Sequence, residues 1–193
     1  MRTSKKTVSQ EAMEVEWLEI QAAQGDPAMF RPLYNRYFEP IFRFIYRRTA
    51  DEVLSADLCS QVFLKALQRV GAYTFKGVPF SAWLFRIASN EVSQYYRQNK
   101  KNRIVSIEES NFTDVMEELQ ESDNEQLRQT LLLVMDQLKE SDLQLIEMRF
   151  FERLPFKEIA NILGITESNA KVKTYRILER MKKQIQKVIG SRH

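Results

Sequence analysis

The side chains best suited to bind nucleic acid lie close together near the end of the chain. Within residues 168–176 stand Asn169, Lys171, Lys173 and Arg176. Amide, ammonium and guanidinium groups bond the edges of adenine and guanine or pair with phosphates. The chemistry available to this stretch is therefore recognition of duplex nucleic acid, provided that one helix presents these side chains together.

A helix-turn-helix pattern surrounds these side chains. Gly164 follows the first apolar run where a chain leaving a helix needs a left-handed residue, and Thr166 is placed to cap a second helix. Glu167 puts negative charge at the positive end of that second helix. The alternative is an ordinary helical hairpin with a solvated basic face. The first helix is predicted from the spacing of Ile159, Ala160, Ile162 and Leu163.

The overall composition predicts a soluble helical protein. The chain has 193 residues, enough for one large or two small domains, and only 5 Gly and 5 Pro, which favours long helices. It contains no apolar run near the roughly 20 residues of a membrane span, and its N-terminus lacks an apolar signal core. We therefore expect a cytoplasmic location and no membrane insertion.

Catalytic and metal sites are not predicted. The single Cys59 cannot form an internal disulfide, and the single His193 cannot build a Cys/His metal site. The sequence shows no nucleophile–base set and no Gly-rich phosphate loop. We expect a protein that is not an enzyme, with no catalytic residue, no metal and no cofactor.

Charge is distributed unevenly along the chain. Residues 171–193 hold eight basic residues and one acid, and residues 104–127 hold eight acids and no base. Residues 95–103 add four basic residues without an acid. The net charge of +3 thus conceals two cationic surfaces separated by an acidic connector.

The first half of the chain predicts four helices. They cover Glu11 to Gln24, Phe30 to Arg48, a segment that opens at Ser55-Ala56-Asp57, and Phe80 to Gln98. The third helix is expected to bury Leu58, Val62, Leu67 and either Leu64 or Phe63, with Asp57, Ser60, Gln61 and Lys65 facing outward. A loop rich in Gly, Pro and aromatic residues precedes the fourth helix.

The sequence predicts an all-α fold of two small helical domains. The first domain covers residues 10–103 and the second, with the helix-turn-helix, covers residues 124–193. Residues 104–123 are predicted as an acidic linker with at most a short helix, because their apolar spacing is weak. Ser141 to Gln144 has the pattern of a capping box and predicts the start of a helix there.

Four stretches stand in a specific order along the chain. They are Gly25-Asp26 before an aromatic helix, Ala56-Asp57-Leu58 with Val62-Phe63, residues 80–90, and the helix-turn-helix. This order resembles bacterial RNA polymerase sigma factors of the extracytoplasmic-function (ECF) group. The resemblance covers about residues 14 to 188, and the Phe-x-x-Trp-Leu-x-x-Ile-Ala-x-Asn stretch of residues 80–90 is its most specific part.

The resemblance implies a promoter-specificity subunit whose two domains correspond to sigma regions 2 and 4. The implied partners are promoter DNA, core RNA polymerase through its β′ clamp helices and β flap, and an anti-sigma factor. Polymerase binding would fall on Asp57, Leu58, Ser60, Gln61 and Phe63. The chain has Ser60-Gln61 where the family commonly has Gln followed by an acid, so Asp57 would carry more of the pairing. The alternative for Asp57 is an acid of the helix's first turn.

The resemblance also implies two DNA-binding sets. The minus-10 element would be captured by Tyr73, Phe75 and Lys76 in the loop and by Asn90, Gln94 and Arg97 on the next helix. Trp83 shares a face with Leu84 and Ile87, so we expect it in the core rather than stacked on a base. The minus-35 element would be read by Ser168, Asn169, Lys171, Lys173, Tyr175 and Arg176. Lys173 replaces a common Arg and favours phosphate contact, and Val172 could pack against a thymine methyl. The rival interpretation is a stand-alone helix-turn-helix regulator that replaces no polymerase subunit.

Overall fold

The computed structural model describes residues 8–99, 109–119 and 125–190. Every regular element within these ranges is helical, which confirms the predicted all-α class. Short 3-10 turns cover Pro27–Phe30 and Val70–Ala72, and a π-turn covers Glu147–Phe151. The α-helices are α1 (Gln10–Gly25), α2 (Arg31–Thr49), α3 (Glu52–Arg69), α4 (Phe80–Asn99), α5 (Glu109–Leu119), α6 (Glu125–Asp136), α7 (Glu140–Ile146), α8 (Phe156–Leu163) and α9 (Glu167–Gly190).

The chain divides into two compact units. Among the described residues, the N-terminal unit comprises residues 8–99 together with Asn161–Gly164. The C-terminal unit comprises residues 109–119, 125–160 and 165–190. The exact domain limits given in the sequence analysis stay predictions.

Helices α2, α3 and α4 pack on one another and form the core of the N-terminal unit. Each contributes apolar side chains at intervals of three and four residues, so one face of each helix is excluded from water. The central side chains are fully or almost fully buried: Leu33, Ile41, Phe44 and Ile45 from α2, Leu58, Val62 and Ala66 from α3, and Leu84, Ala88 and Val92 from α4.

Helix α3 begins one turn earlier than the sequence predicted. The carboxylate of Asp51 accepts a hydrogen bond from the Leu54 N–H at 3.0 Å and caps the helix, so Glu52 is its first residue. Asp57 consequently lies in the second turn, and the alternative interpretation of Asp57 as a first-turn acid is wrong. The expected burial of Leu67 is also wrong: Leu67 is 37% exposed, because the buried side of the helix runs through Val62 and Ala66. Of the two alternatives, Phe63 is buried and Leu64 is 55% exposed.

Helix α5 lies inside the segment predicted as a linker, and it packs on the C-terminal unit. Its buried side chains Phe112, Val115, Met116 and Leu119 follow a spacing of i, i+3, i+4 and i+7 and face α9 and the π-turn. The abundant acids between them conceal this spacing in the sequence. The segment therefore contains an amphipathic helix that adds to the core of this unit.

Two polar contacts hold α5 in place. The Arg153 guanidinium bonds the Asp114 carboxylate through Nε at 2.9 Å and Nη2 at 2.8 Å. Arg153 itself adopts a left-handed conformation, with φ of 53°. The guanidinium of Arg128 lies 4.9 Å from the centre of the Phe112 ring, within the range of a cation–π interaction.

The start of α7 differs from the prediction. The helix begins at Glu140, its N-cap residue Lys139 makes no side-chain cap, and the predicted capping box at Ser141 is not formed. The Gln144 amide donates instead to the side chain of Glu140 at 3.2 Å. Because Ser141 already lies inside the helix, its hydroxyl does not occupy the N-cap position.

Replacement of Phe112 by Ala tests the role of α5. Removing a buried aromatic side chain typically costs about 3–5 kcal/mol, and here it also removes the ring that Arg128 contacts. We expect faster hydrogen exchange of α9 amides in the full chain, measured by mass spectrometry. Glu117→Ala, at an exposed site on the same helix, should change stability by no more than about 0.5 kcal/mol. Equal exchange in both variants would contradict the packing role.

The thiol of Cys59 gives a pH-dependent prediction. Cys59 is fully buried, and this burial raises its pKa to about 12. An unfolded cysteine ionises near pH 8.5, so the stabilisation due to the protonated thiol is present below that pH and is lost as the pH rises. Between pH 8 and pH 10 we expect the free energy of unfolding to fall by roughly 2 kcal/mol more in the wild type than in Cys59→Ala. Urea titrations followed by circular dichroism measure this difference, and parallel pH profiles would contradict it.

Candidate functional site

The turn between α8 and α9 has the predicted geometry. Gly164 adopts a left-handed conformation with φ of 68°, which a residue without Cβ enters at little cost. The Ile165 N–H then donates to the Ala160 carbonyl at 3.0 Å, the bond that closes a Schellman-type helix end. The predicted turn at Gly164 is thereby confirmed.

The start of α9 is fixed by Thr166. Its hydroxyl oxygen accepts a hydrogen bond from the Asn169 N–H at 3.2 Å, so the predicted N-cap is confirmed. Glu167 follows in the first turn and forms a salt bridge with Lys171 at 2.8 Å. The position of the α9 N-terminus is thus set by local contacts.

All the residues predicted to read the minus-35 element lie on the exposed side of α9. At 100° per residue, Val172 and Arg176 lie nearest the centre of this side, and Lys171 and Lys173 lie on its two flanks. Val172 is 46% exposed and Tyr175 54% exposed. The opposite side is buried through Ala170, Thr174, Ile177, Leu178, Met181 and Ile185. Helix α9 carries seven basic and two acidic residues, so the exposed side is strongly cationic.

The loop before α4 places its rings differently from the prediction. Tyr73 is only 8% exposed, and its ring centre lies 5.1 Å from those of both Phe80 and Trp83. Burial raises the pKa of Tyr73 to about 12, so the hydroxyl stays protonated. Tyr73 therefore supports the loop from inside and cannot stack on a base. Phe75 is half-buried and Lys76 is exposed, and both remain available to a ligand.

The outward side of α4 agrees with the prediction. Asn90 and Arg97 are exposed and Gln94 is half-buried, and their spacing of four and three residues puts them on one side of the helix. Trp83, assigned to the core, is half-buried within the ring cluster. This side of α4 can offer two amides and one guanidinium to a nucleic acid.

The set predicted to bind polymerase divides into exposed and buried members. Asp57, Ser60 and Gln61 are exposed, whereas Leu58 and Phe63 are only 4% and 5% exposed and belong to the core. Those two side chains cannot contact a partner directly.

Two apolar residues that the sequence analysis missed belong to the same exposed side of α3. Val53 is 76% and Leu64 55% exposed, and they follow the spacing of Asp57 and Ser60. This spacing is visible in the sequence, but Leu64 stands next to Phe63, and the sequence leaves open which of the two is buried. Helix α3 thus presents a mixed apolar and acidic surface.

Comparison with known proteins identifies the family. A family model for sigma-70 region 2 matches residues 33–102, and one for sigma-70 region 4 matches residues 128–181. The ECF RNA polymerase sigma factor BldN of Streptomyces coelicolor is 30% identical over 158 residues. The chain belongs to the ECF group of RNA polymerase sigma factors. The matched part is 81% of this chain, and the chain spans 60% of the length of BldN.

Other sigma factors match over most of their length. The ECF sigma factor SigM of Bacillus subtilis is 26% identical over 78% of this chain and 91% of its own length. The solved structure of CnrH with the cytosolic domain of CnrY has a TM-score of 0.57 at 18% identity and covers 90% of this chain and 96% of that one. RpoE of Bartonella quintana, solved with the anti-sigma factor NepR, has a TM-score of 0.53 at 15% identity, with 81% and 96% covered. These two structures share the fold of this chain.

Membership of the ECF sigma factors establishes the general role of the chain in promoter-specific initiation by RNA polymerase. The rival interpretation as a stand-alone regulator is not favoured. Neither family model covers α1 or α5. In the described residues, no helix combines the length and the apolar character that crossing a membrane requires.

Replacement of Thr166 by Ala tests the cap of α9 in this sigma factor. Loss of an N-cap costs about 1 kcal/mol, which corresponds to a roughly fivefold larger equilibrium constant for opening of the first turn. We expect the Asn169 amide to exchange faster in residue-resolved NMR. Thr166→Ser keeps the hydroxyl and should retain wild-type exchange. Equally fast exchange in both variants would show that the hydroxyl does not cap the helix.

Proposed function

We propose that this sigma factor binds core polymerase through the exposed side of α3 and reads two promoter elements through α4 and α9. The observation that carries the proposal is the exposed, cationic side of α9, whose first turn is positioned by Gly164 and Thr166. A helix presented in this way fits the major groove of duplex DNA. The other two surfaces are proposed from the exposed polar and apolar residues of the N-terminal unit.

At the minus-35 element, the base-reading residues are Asn169 and Arg176. Both carry side chains that form paired hydrogen bonds with base edges, to adenine and guanine respectively. Lys171 and Lys173 flank them and contact phosphates, which lack sequence information but set the position of the helix. Val172, near the centre of the exposed side, is placed to contact a thymine methyl.

At the minus-10 element, Phe75 replaces Tyr73 as the stacking ring, because the Tyr73 ring is buried. A base stacked on an aromatic ring contributes roughly 1–3 kcal/mol. Asn90 and Gln94 offer amides to the base edge, and Arg97 offers a guanidinium to the phosphates. The loop and α4 thus provide the contacts for an unpaired base.

Polymerase binding is proposed to rest on Asp57 together with Val53 and Leu64. Apolar side chains that are exposed in the free chain gain most from burial in an interface, and Asp57 adds charge complementarity to a basic partner surface. We assign the β′ clamp helices to this side of α3 and the β flap to the C-terminal unit. Leu58 and Phe63 contribute indirectly, by shaping the core beneath α3.

We also propose an anti-sigma partner, a cytoplasmic location and the absence of catalytic activity. RpoE of Bartonella quintana was solved with the anti-sigma factor NepR, which supports a similar partner for this chain. The proposed location is the cytoplasm, because a protein that binds polymerase and promoter DNA must be in the same compartment as the chromosome. Its proposed action is binding and does not require a reacting group.

The test is in vitro transcription with core polymerase on a library of genomic fragments, with and without this chain. We expect defined start sites only in its presence.

Arg176→Ala should lower transcription about tenfold by loss of a base contact, with core binding intact. Asp57→Asn should weaken core binding by at least about fivefold.

Matched controls come from the same helices. Lys187→Ala, at an exposed base far from the start of α9, and Glu52→Gln, at an exposed acid of α3, should each behave like the wild type. Absence of chain-dependent start sites would refute the proposed function. Loss of core binding in Arg176→Ala would mean that the surfaces are wrongly assigned.

A further inference from the structure

Helix α1 forms hydrogen bonds with the beginning of the loop that carries Phe75. This helix lies outside the region 2 family model. The Gln24 side-chain amide donates to the carbonyl of Val70 at 3.0 Å and to that of Tyr73 at 2.8 Å. An amide NH2 group has two hydrogens, and both have an acceptor here. The backbone at the start of the loop is thus tied to α1 by one side chain.

The end of the same loop is bonded by Glu16. Its carboxylate accepts a hydrogen bond from the backbone N–H of Phe80, the first residue of α4, at 3.3 Å. The first N–H groups of a helix have no partner within the helix, and negative charge is stabilising there. Glu16 is only 7% exposed and also accepts from the Tyr37 hydroxyl and from Arg36 at 3.2 Å. Its position is therefore fixed by groups from two other helices.

Trp17 supports the loop between these two ends. Its ring centre lies 6.2 Å from that of Tyr73 and 6.2 Å from that of Phe75. Glu16 and Gln24 are eight residues apart, or about 12 Å along the helix axis. Helix α1 therefore holds both ends of the loop and contacts the ring that is proposed to stack on the base.

We propose that Gln24 and Glu16 are positioning residues that set the conformation of residues 73–80 and thereby the base preference at the minus-10 element. Residues 74–79 belong to no helix, so their geometry depends on contacts with neighbouring elements. A shift of the loop moves Phe75 relative to Asn90. It therefore changes how much better the preferred base binds than the other bases. This inference rests on the proposed capture of a minus-10 base by the loop and α4.

The sharpest probe is Gln24→Glu, which keeps the size of the side chain. A carboxylate cannot donate to a carbonyl, so both hydrogen bonds are lost and the loop carbonyls face a negative charge. Gln21→Glu is the matched control, because Gln21 is exposed on the same helix and the charge change is identical. Gln24→Met removes the donors without adding charge, and Glu16→Gln removes the negative charge at the start of α4.

The first measurement is hydrogen exchange of residues 74–80 in the free chain. We expect faster exchange in Gln24→Glu and Gln24→Met than in Gln21→Glu. The second measurement uses promoters found in the library experiment and their single-base variants at the minus-10 element. The ratio of transcription between preferred and substituted base should fall by at least about fivefold in the Gln24 variants, as expected for the loss of two hydrogen bonds. Core affinity and minus-35 preference should not change.

The outcomes separate the two proposals. The wild type could yield no chain-dependent start sites while the Gln24 variants still speed hydrogen exchange of residues 74–80. In that case the proposed function is wrong, and the role of Gln24 in holding the loop is confirmed. If transcription is normal and the base ratios of Gln24→Glu, Gln24→Met and Glu16→Gln equal that of Gln21→Glu, the positioning role is overturned. If these three variants all lose core binding, the residues serve the stability of the whole unit, and the positioning role is likewise overturned.

Discussion

The junction of α1, α2 and the start of α4 depends on a buried carboxylate, that of Glu16, remaining bonded to its donors. A buried charge that loses its partners costs about 3–5 kcal/mol, so Arg36, Tyr37 and the Phe80 N–H are constrained to meet at one point. Burial, and then the hydrogen bond to Glu16, raise the pKa of Tyr37, so its hydroxyl remains a donor. The hydrogen bonds and the ion pair of the Glu16 carboxylate therefore determine where α1, α2 and the start of α4 meet. The apolar core of α2, α3 and α4 packs next to this point.

The helix-turn-helix was predictable because its signals are local. Gly164 and Thr166 act on neighbours within five residues, so the glycine conformation and the cap follow from the sequence without knowledge of the rest of the fold. The alternation of exposed and buried residues on α9 has the same origin, since a single helical period decides it. The choice between Phe63 and Leu64 is different. Both residues are apolar and adjacent, and the packing of α3 on α2, where Phe63 contacts Tyr34 and Phe38, decides which one is buried.

The features that the sequence did not reveal depend on contacts between distant segments. Tyr73 resembles a loop ring ready for stacking, but Phe80 and Trp83 enclose it. Glu16 resembles a surface acid of an amphipathic helix, and its partners Tyr37 and Phe80 lie 21 and 64 residues away. Helix α5 is a different case: the sequence allows a short helix in this segment, but the abundant acids conceal the apolar spacing that packs it into the core. Hydrophobic spacing predicts packing even in a strongly acidic segment.

The ring cluster beneath the loop has a spectroscopic consequence. The chain has two tryptophans, Trp17 and Trp83, and both rings lie within 6.2 Å of the Tyr73 ring. Intrinsic tryptophan emission therefore originates entirely in the N-terminal unit, next to the loop that carries Phe75. Tyr175 is the sole tyrosine after residue 96, and it is 54% exposed on α9. Tryptophan emission thus reports changes around this loop without an attached dye, whereas six of the seven tyrosines precede residue 97, so tyrosine emission does not isolate α9.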